Sequence, residues 1–204
     1  MDFVGVLSLI AIVFCSVGNS GAAATRRQAL PVLTISLASL VAAGLLGQLV
    51  YPTLLALFGR NAGAIRSGEW YRVVTSLFVQ DHWLIGGLFN VTMMVVVGRI
   101  AESRFGRLHW SLIYFGGGVL TELIALRWQP IGAGNSIAYM SLAGALLVST
   151  LKDARSLRPR LSGVIGLMIA VALCCRYDIH GAAVLIGAAY AAVALGIRPT
   201  RSRA

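Results

Sequence analysis

Charge and cysteine are both scarce in this chain. Only 12% of its 204 residues are charged while 58% are hydrophobic, and the mean hydropathy is +0.82, which leaves no room for a soluble domain. There are three cysteines, Cys15, Cys174 and Cys175, an odd number with two of them adjacent. All three lie in or at the edge of apolar stretches, so they read as packing residues, and both a disulfide framework and a metal site are excluded. Basic residues exceed acidic ones 17 to 7, for a net charge of +10. Their positions beside apolar runs make them juxtamembrane anchors that meet anionic lipid, so the excess does not imply a nucleic-acid partner.

What the chain does have is a series of apolar runs near the ~20 residues needed to span hydrocarbon. The pattern predicts helices at about 3–19, 30–58, 82–101, 108–126, 134–151, 161–175 and 179–197. The expected fold is all-α, a polytopic membrane bundle of six core helices with one extra helix in front. Residues 1–29 form that helix and a cytoplasmic turn, 30–197 the core, and 198–204 a short basic tail. The small residues from Ser20 to Ala24 resemble a signal-peptide cleavage site. The preceding stretch carries Asp2 and no Lys or Arg, which favours a retained helix. The run 161–175 is short for a span and is expected to tilt or to extend past Arg176.

Topology follows from the basic residues. With the turn after the first helix in the cytoplasm, that side collects Arg26, Arg27, Arg99, Arg104, Arg107, Lys152, Arg155, Arg158, Arg160, Arg198, Arg201 and Arg203. The other side keeps Arg60, Arg66, Arg72, Arg127 and Arg176. The expected protein is therefore a multi-pass protein of a bacterial plasma membrane, with its N-terminus outside and its C-terminus in the cytoplasm.

Three polar side chains fall at one depth. At 1.5 Å rise per residue, Ser136 lies roughly 24 Å from Lys152, His180 roughly 27 Å from Arg198 and Asn90 roughly 21 Å from Arg104. An unpaired polar group in hydrocarbon costs several kcal/mol, so such groups face one another or a water-filled cavity. A serine hydroxyl beside an imidazole is an activated nucleophile, and an Asn amide or a helix N-terminus can hold the oxyanion of acyl transfer. Gly132, Gly134 and Asn135 allow a tight loop to enter the helix at Ser136, leaving free N–H groups there. Ala183, Gly187 and Ala191 form a small-residue stripe, and Gly144 lies eight residues after Ser136, so the Ser and His helices can approach closely.

These residues stand in ordered motifs. The chain contains G68-E-W-Y-R72, L88-F-N90, G98-R-I-A-E-S-R-F-G106, G134-N-S136 followed by Gly144, and H180-G-A-A-V-L-I-G187. From about Leu30 to Ile197 it resembles the rhomboid intramembrane serine proteases. That resemblance implies a Ser136 nucleophile, a His180 general base and an Asn90 oxyanion donor. It also implies structural roles for Trp70, Arg72, Gly98, Glu102, Gly106, Gly134, Gly144 and Gly187. The implied activity is cleavage of transmembrane or membrane-proximal segments of other proteins, without a cofactor, after lateral entry of the substrate helix.

Two positions depart from the family pattern. The histidine expected four residues before Asn90 is Gly86, with His82 off the matching spacing, so one oxyanion donor is missing. The glycine expected after the nucleophile is Ile137, whose branch adds bulk at a close contact. A catalytically impaired rhomboid-like pseudoprotease that binds transmembrane helices is therefore the second reading. Asp178 reads as an interfacial charge near Arg176, not as a third catalytic member. Glu122 lies five residues before Arg127 and is expected to pair with it or reach water. No inverted repeat supports a transporter. Trp110, Tyr114, Trp128 and Tyr177 read as interfacial anchors.

Overall fold

The computed structural model describes residues 3–18, 30–81 and 83–194, and their secondary structure is almost wholly helical. Among the described residues ten α-helices follow one another: α1 (Phe3–Val17), α2 (Val32–Val50), α3 (Thr53–Phe58), α4 (Ala62–Arg66), α5 (Arg72–Thr75), α6 (Trp83–Ser111), α7 (Gly117–Trp128), α8 (Ser136–Asp153), α9 (Leu157–Cys175) and α10 (Ile179–Ala194). Two residue pairs, β1 (Arg60–Asn61) and β2 (Ile131–Gly132), join antiparallel. Arg26, Arg27, His82, the run 20–24 and the basic tail from Arg198 lie outside the described residues.

By length and hydropathy α2, α9 and the run Leu84–Trp128 can cross a membrane, while α1 and α10 are shorter apolar helices. A straight helix of 45 residues would be roughly 68 Å long, more than twice the hydrocarbon core. The chain solves this at Gly106, whose φ of 75° breaks α6. Beyond the break it runs back alongside itself: Trp110 Nε1 donates to the Gly98 carbonyl at 3.0 Å, and Tyr114 Oη lies 3.8 Å from Met94 Sδ. A π-helical turn, Leu112–Gly116, leads into α7. Trp110 and Tyr114 are thus core residues, 1% and 0% exposed and stacked on each other. The expectation that they anchor the interface is corrected: the fold at Gly106 turns this face inward, and no local pattern announces that.

The boundaries differ elsewhere for visible reasons. The long run 30–58 is two helices, because Pro52 cannot continue α2 and instead sits at the N-cap of α3. The run 161–175 is not short. It gains four residues at its front, starting at Leu157, and stops at Arg176. The loop before α6 is also more structured than the sequence suggests. Arg72 donates to the carbonyls of Ala56 and Gly59 at 2.7 and 3.0 Å and pairs with Glu69 at 2.7 Å, closing the loop on itself, while Trp70 stays 59% exposed.

Glu102 caps a helix other than its own. Its carboxylate accepts from the backbone N–H groups of Leu33 and Thr34 at 3.1 and 2.9 Å and from Thr34 Oγ1 at 2.9 Å. These are orphan donors of the first turn of α2, whose N-cap is Pro31 with no side-chain cap. Gly98 brings α6 within reach of α2, since a Cβ there would stand 2.8 Å from Thr34 Cγ2.

At the centre stands α8, buried along most of its length, with α10 packed closest against it. Gly144 faces the Val184 backbone and Gly187 faces the Ser141 backbone so closely that a methyl at either would overlap a carbonyl oxygen. Ala183, Gly187 and Ala191 are all buried in this contact. At the opposite end of the bundle from Ser136, Arg104 pairs with Asp153 and donates to Ser149 Oγ at 2.7 Å.

Glu122 does not pair with Arg127. Its partner is Arg60 at 2.7 Å, with the two side chains 1% and 3% exposed, and Arg60 Nε also donates to the Gln129 carbonyl at 2.8 Å. The partner is 62 residues away and arrives through the β1–β2 pairing, out of reach of a local reading. Breaking a buried pair leaves an uncompensated charge. Glu122→Ala is expected to lower stability by about 3–5 kcal/mol, read as a fall in the thermal unfolding midpoint in detergent, and Glu122→Gln by less.

Candidate active site

A cavity of about 1010 Å³ opens at one end of the bundle, with Ser136, His180, Asn90 and Gly86 among its lining residues. The three polar residues assigned a common depth meet there. Ser136 is the first residue of α8, after a loop that Gly134 turns at φ 140° while its N–H donates to the Ser76 carbonyl at 2.8 Å. Serine at that place has its hydroxyl in the cavity and its N–H among the unpaired donors of a helix N-terminus.

His180 is the second residue of α10, and its Nε2 lies 3.0 Å from Ser136 Oγ. This approach requires the glycine contacts of α8 with α10, which bring the backbones together. Ile137 does not stand between them. Its side chain is 2% exposed within the core, and the Ser–His contact is made despite the branch at Cβ.

The reading of Asp178 as an interfacial charge is corrected. Its Oδ1 accepts from the His180 backbone N–H at 2.9 Å and lies 2.7 Å from His180 Nδ1. Asp178 occupies the N-cap position of α10, where an aspartate accepts from the second helical N–H, and the same oxygen reaches the ring. Burial alone would raise its pKa, but the two contacts with His180, together with the charges of His180 and Arg176, outweigh it and hold the carboxyl below the usual aspartate range. A folded-state pKa below the unfolded one adds stability that is present above the unfolded value and lost as pH falls through the folded value. Over the neutral range the group is a carboxylate. It therefore takes a hydrogen from Nδ1, which leaves the Nε2 lone pair facing Ser136.

The turn that aims this pair is short. Asp178 N–H donates to the Leu173 carbonyl at 3.0 Å and Tyr177 N–H to that of Cys174 at 2.9 Å, the two bonds of a Schellman turn. Tyr177 holds the left-handed position usually given to glycine, at φ 56°, and its ring meets Trp128 edge-on at 5.6 Å.

Asn90 sits in an amide network that the sequence did not reveal. Tyr139 Oη donates to Asn90 Oδ1 at 3.2 Å, and Asn90 Nδ2 donates to Gln80 Oε1 at 2.9 Å. Gln80, 1% exposed, in turn donates to Asn135 Oδ1 at 3.1 Å. The Asn90 amide is thereby oriented with its N–H₂ toward the loop. A Cβ built on Gly134 would lie 3.6 Å from both Asn90 Nδ2 and Ser136 Oγ, so donor and hydroxyl flank one small space. Asp178 had a local signal, an Asp directly before a helix start. Gln80 had none, because its partners lie 10 and 55 residues away. Among the described residues no group of His, Cys, Asp and Glu is placed to hold a metal ion.

The sequence is similar to that of known proteins. The family model for the Rhomboid domain matches residues 67–197. A curated protein of Toxoplasma gondii, Rhomboid-like protease 2, is 29% identical over 145 residues, covering 68% of this chain and 51% of its own length. Rhomboid protease GluP of Bacillus subtilis (strain 168) is 28% identical over 153 residues, covering 71% of this chain and 30% of its own length. The chain thus spans about half, or less, of these relatives. No solved structure matches it.

Proposed function

Because the chain belongs to the rhomboid family, we propose that this integral membrane protein is a serine endopeptidase that cuts transmembrane or membrane-proximal segments of other membrane proteins. The observation that carries this reading is the 3.0 Å contact of Ser136 Oγ with His180 Nε2 inside a cavity of the bundle. In the proposed mechanism Nε2 takes the hydroxyl proton as Oγ attacks the scissile carbonyl. Asn90 Nδ2 and the Ser136 N–H receive the charge developing on the carbonyl oxygen. His180 then returns the proton to the leaving amine, and water hydrolyses the acyl-enzyme by the same steps in reverse roles. Asp178 holds the ring in the required tautomer and stabilises the imidazolium. The cavity end faces the outside of a bacterial plasma membrane, in keeping with the basic residues that gather at the other end.

The test is labelling with a fluorophosphonate in detergent. Labelling is expected in the parent and absent in Ser136→Ala and His180→Ala; equal labelling of all three would refute the assignment. A pseudoprotease that binds helices without cutting them is favoured by a single observation, the glycine at 86 where a second donor is expected. Gly86 lines the cavity one helical turn from Asn90. Gly86→His is expected to raise turnover of a model helix substrate by about 10-fold, within what one recovered donor supplies. No gain in a variant that also fails to label would favour the pseudoprotease.

A further inference from the structure

Asn90 is the side chain assigned to the oxyanion, and an asparagine amide left to itself is a poor donor for that task. Its plane turns readily and can present oxygen in place of nitrogen. Here the plane is held from both ends. Asn90 Oδ1 accepts from Tyr139 Oη, Asn90 Nδ2 donates to Gln80 Oε1, and Gln80 Nε2 donates to Asn135 Oδ1. Each of the three amides has its oxygen accepting or its nitrogen donating, so turning any one over sets two oxygens or two N–H₂ groups face to face. Asn135 is the N-cap of α8 and Tyr139 lies one turn further along, with Ser136 between them. The donor is therefore located by the helix that carries the nucleophile.

Gln80 is the link of this ladder that belongs to neither α6 nor α8, and its main chain is clamped from α2. Gln80 N–H donates to Gln48 Oε1 at 2.7 Å, and Gln48 Nε2 donates to the Gln80 carbonyl at 2.8 Å. One side chain thus satisfies both main-chain groups, as a neighbouring strand would. We propose that Gln80 is a positioning residue for the oxyanion: it takes one of the two Asn90 amide hydrogens and so aims the other into the cavity. The proposal rests on the protease reading. The two hydrogens lie in the amide plane at a fixed angle, so a bond that fixes the first also fixes the direction of the second. Gln80 Oε1, Asn90 Nδ2 and Ser136 Oγ converge on the bare Gly134, at 3.3, 3.6 and 3.6 Å from where a Cβ would stand. Asn90 and Ser136 line the cavity, while Gln80 is buried behind them and reaches the substrate through Asn90. Position 86 is glycine and offers no second donor, so the orientation of Asn90 carries more weight.

The test is a double-mutant cycle on kcat for a model helix substrate in full-length protein. Gln80→Met keeps the length of the side chain and removes its polar end. It is expected to lower kcat about 10-fold with KM close to the parent value, less than the 10²- to 10³-fold expected of Asn90→Ala, because a released donor still points correctly part of the time. In the Asn90→Ala background the same exchange is expected to change kcat by less than about 2-fold, since the amide it orients is gone. An equal fall in both backgrounds would show that Gln80 acts through Asn135 or the fold and not through Asn90. An unchanged kcat in Gln80→Met would show that Asn90 needs no brace. Either result overturns the proposal. If Gln80→Met does not fold, Gln48→Met takes its place, at a half-buried position whose exchange frees only the main chain of Gln80. A several-fold fall in kcat that vanishes in the Asn90→Ala background is then expected, and a fall that is absent or equal in both backgrounds overturns the proposal. A parent that does not label with fluorophosphonate refutes the protease reading and removes the reaction that Gln80 serves, a result distinct from every outcome of the cycle.

Discussion

Asp178→Asn is expected to lower kcat by about 10²-fold or more while leaving KM for a helix substrate close to the parent value. Asp178 lies in the cavity lining, but its Oδ1 is engaged by the His180 backbone N–H and Nδ1, so the expected loss is in the chemical step more than in ground-state binding. An amide in its place presents either an oxygen or an N–H₂ to Nδ1, and the latter puts the hydrogen on Nε2, where it faces Ser136 and cannot accept a proton. The same exchange in a soluble serine protease removes about 10⁴-fold. Asparagine caps a helix as well as aspartate does, so the fold is expected to survive and the thermal midpoint to move little. A loss of stability together with activity, or an unchanged kcat, would show that Asp178 serves only the start of α10.

The second large effect is expected from Gly144→Leu. The new Cβ would meet the Val184 carbonyl, which is backbone and cannot turn aside. α10 must then move outward, and His180 lies one turn before Val184 on that helix, so the displacement reaches the imidazole undiminished. Misplacing a reacting group by about 1 Å costs on the order of 10²-fold, and both cleavage and fluorophosphonate labelling are expected to fall by at least that factor. Gly116→Ala is the matched control, because a Cβ there meets nothing within 4 Å. A Gly144→Leu protein that labels like its parent would show that the dyad does not depend on the α8–α10 contact.

The sequence made the helices and the membrane setting legible because both rest on composition and period, which are local. The glycines at 98, 106, 134, 144 and 187 were also readable as motif members, though the reason for each needed coordinates. Gly106 reverses the chain, Gly134 turns the loop, and Gly144 and Gly187 bring two backbones together. What stayed hidden depends on residues far apart. Arg60 reaches Glu122 only because β1 pairs with β2. Gln80 joins Asn90 to Asn135 only once α6 and the loop before α8 are in place. Asp178 is the instructive miss, since its partner is two residues away. A family pattern of two catalytic residues left it without a task, while helix-capping chemistry alone would have placed its oxygen beside His180.

The glycine seam between α8 and α10 also bears on how the protein responds to its lipid. A bilayer thicker or thinner than the hydrophobic length of a span is accommodated by tilt, and the helices free to tilt are those facing lipid, such as α2 and α9. α8 and α10 touch backbone to backbone through Gly144 and Gly187, so they move as one body and carry Ser136 and His180 with them. Changes of acyl-chain length are therefore expected to act at the outer helices, while the 3.0 Å spacing of Ser136 and His180 is expected to stay the same across bilayers of different thickness.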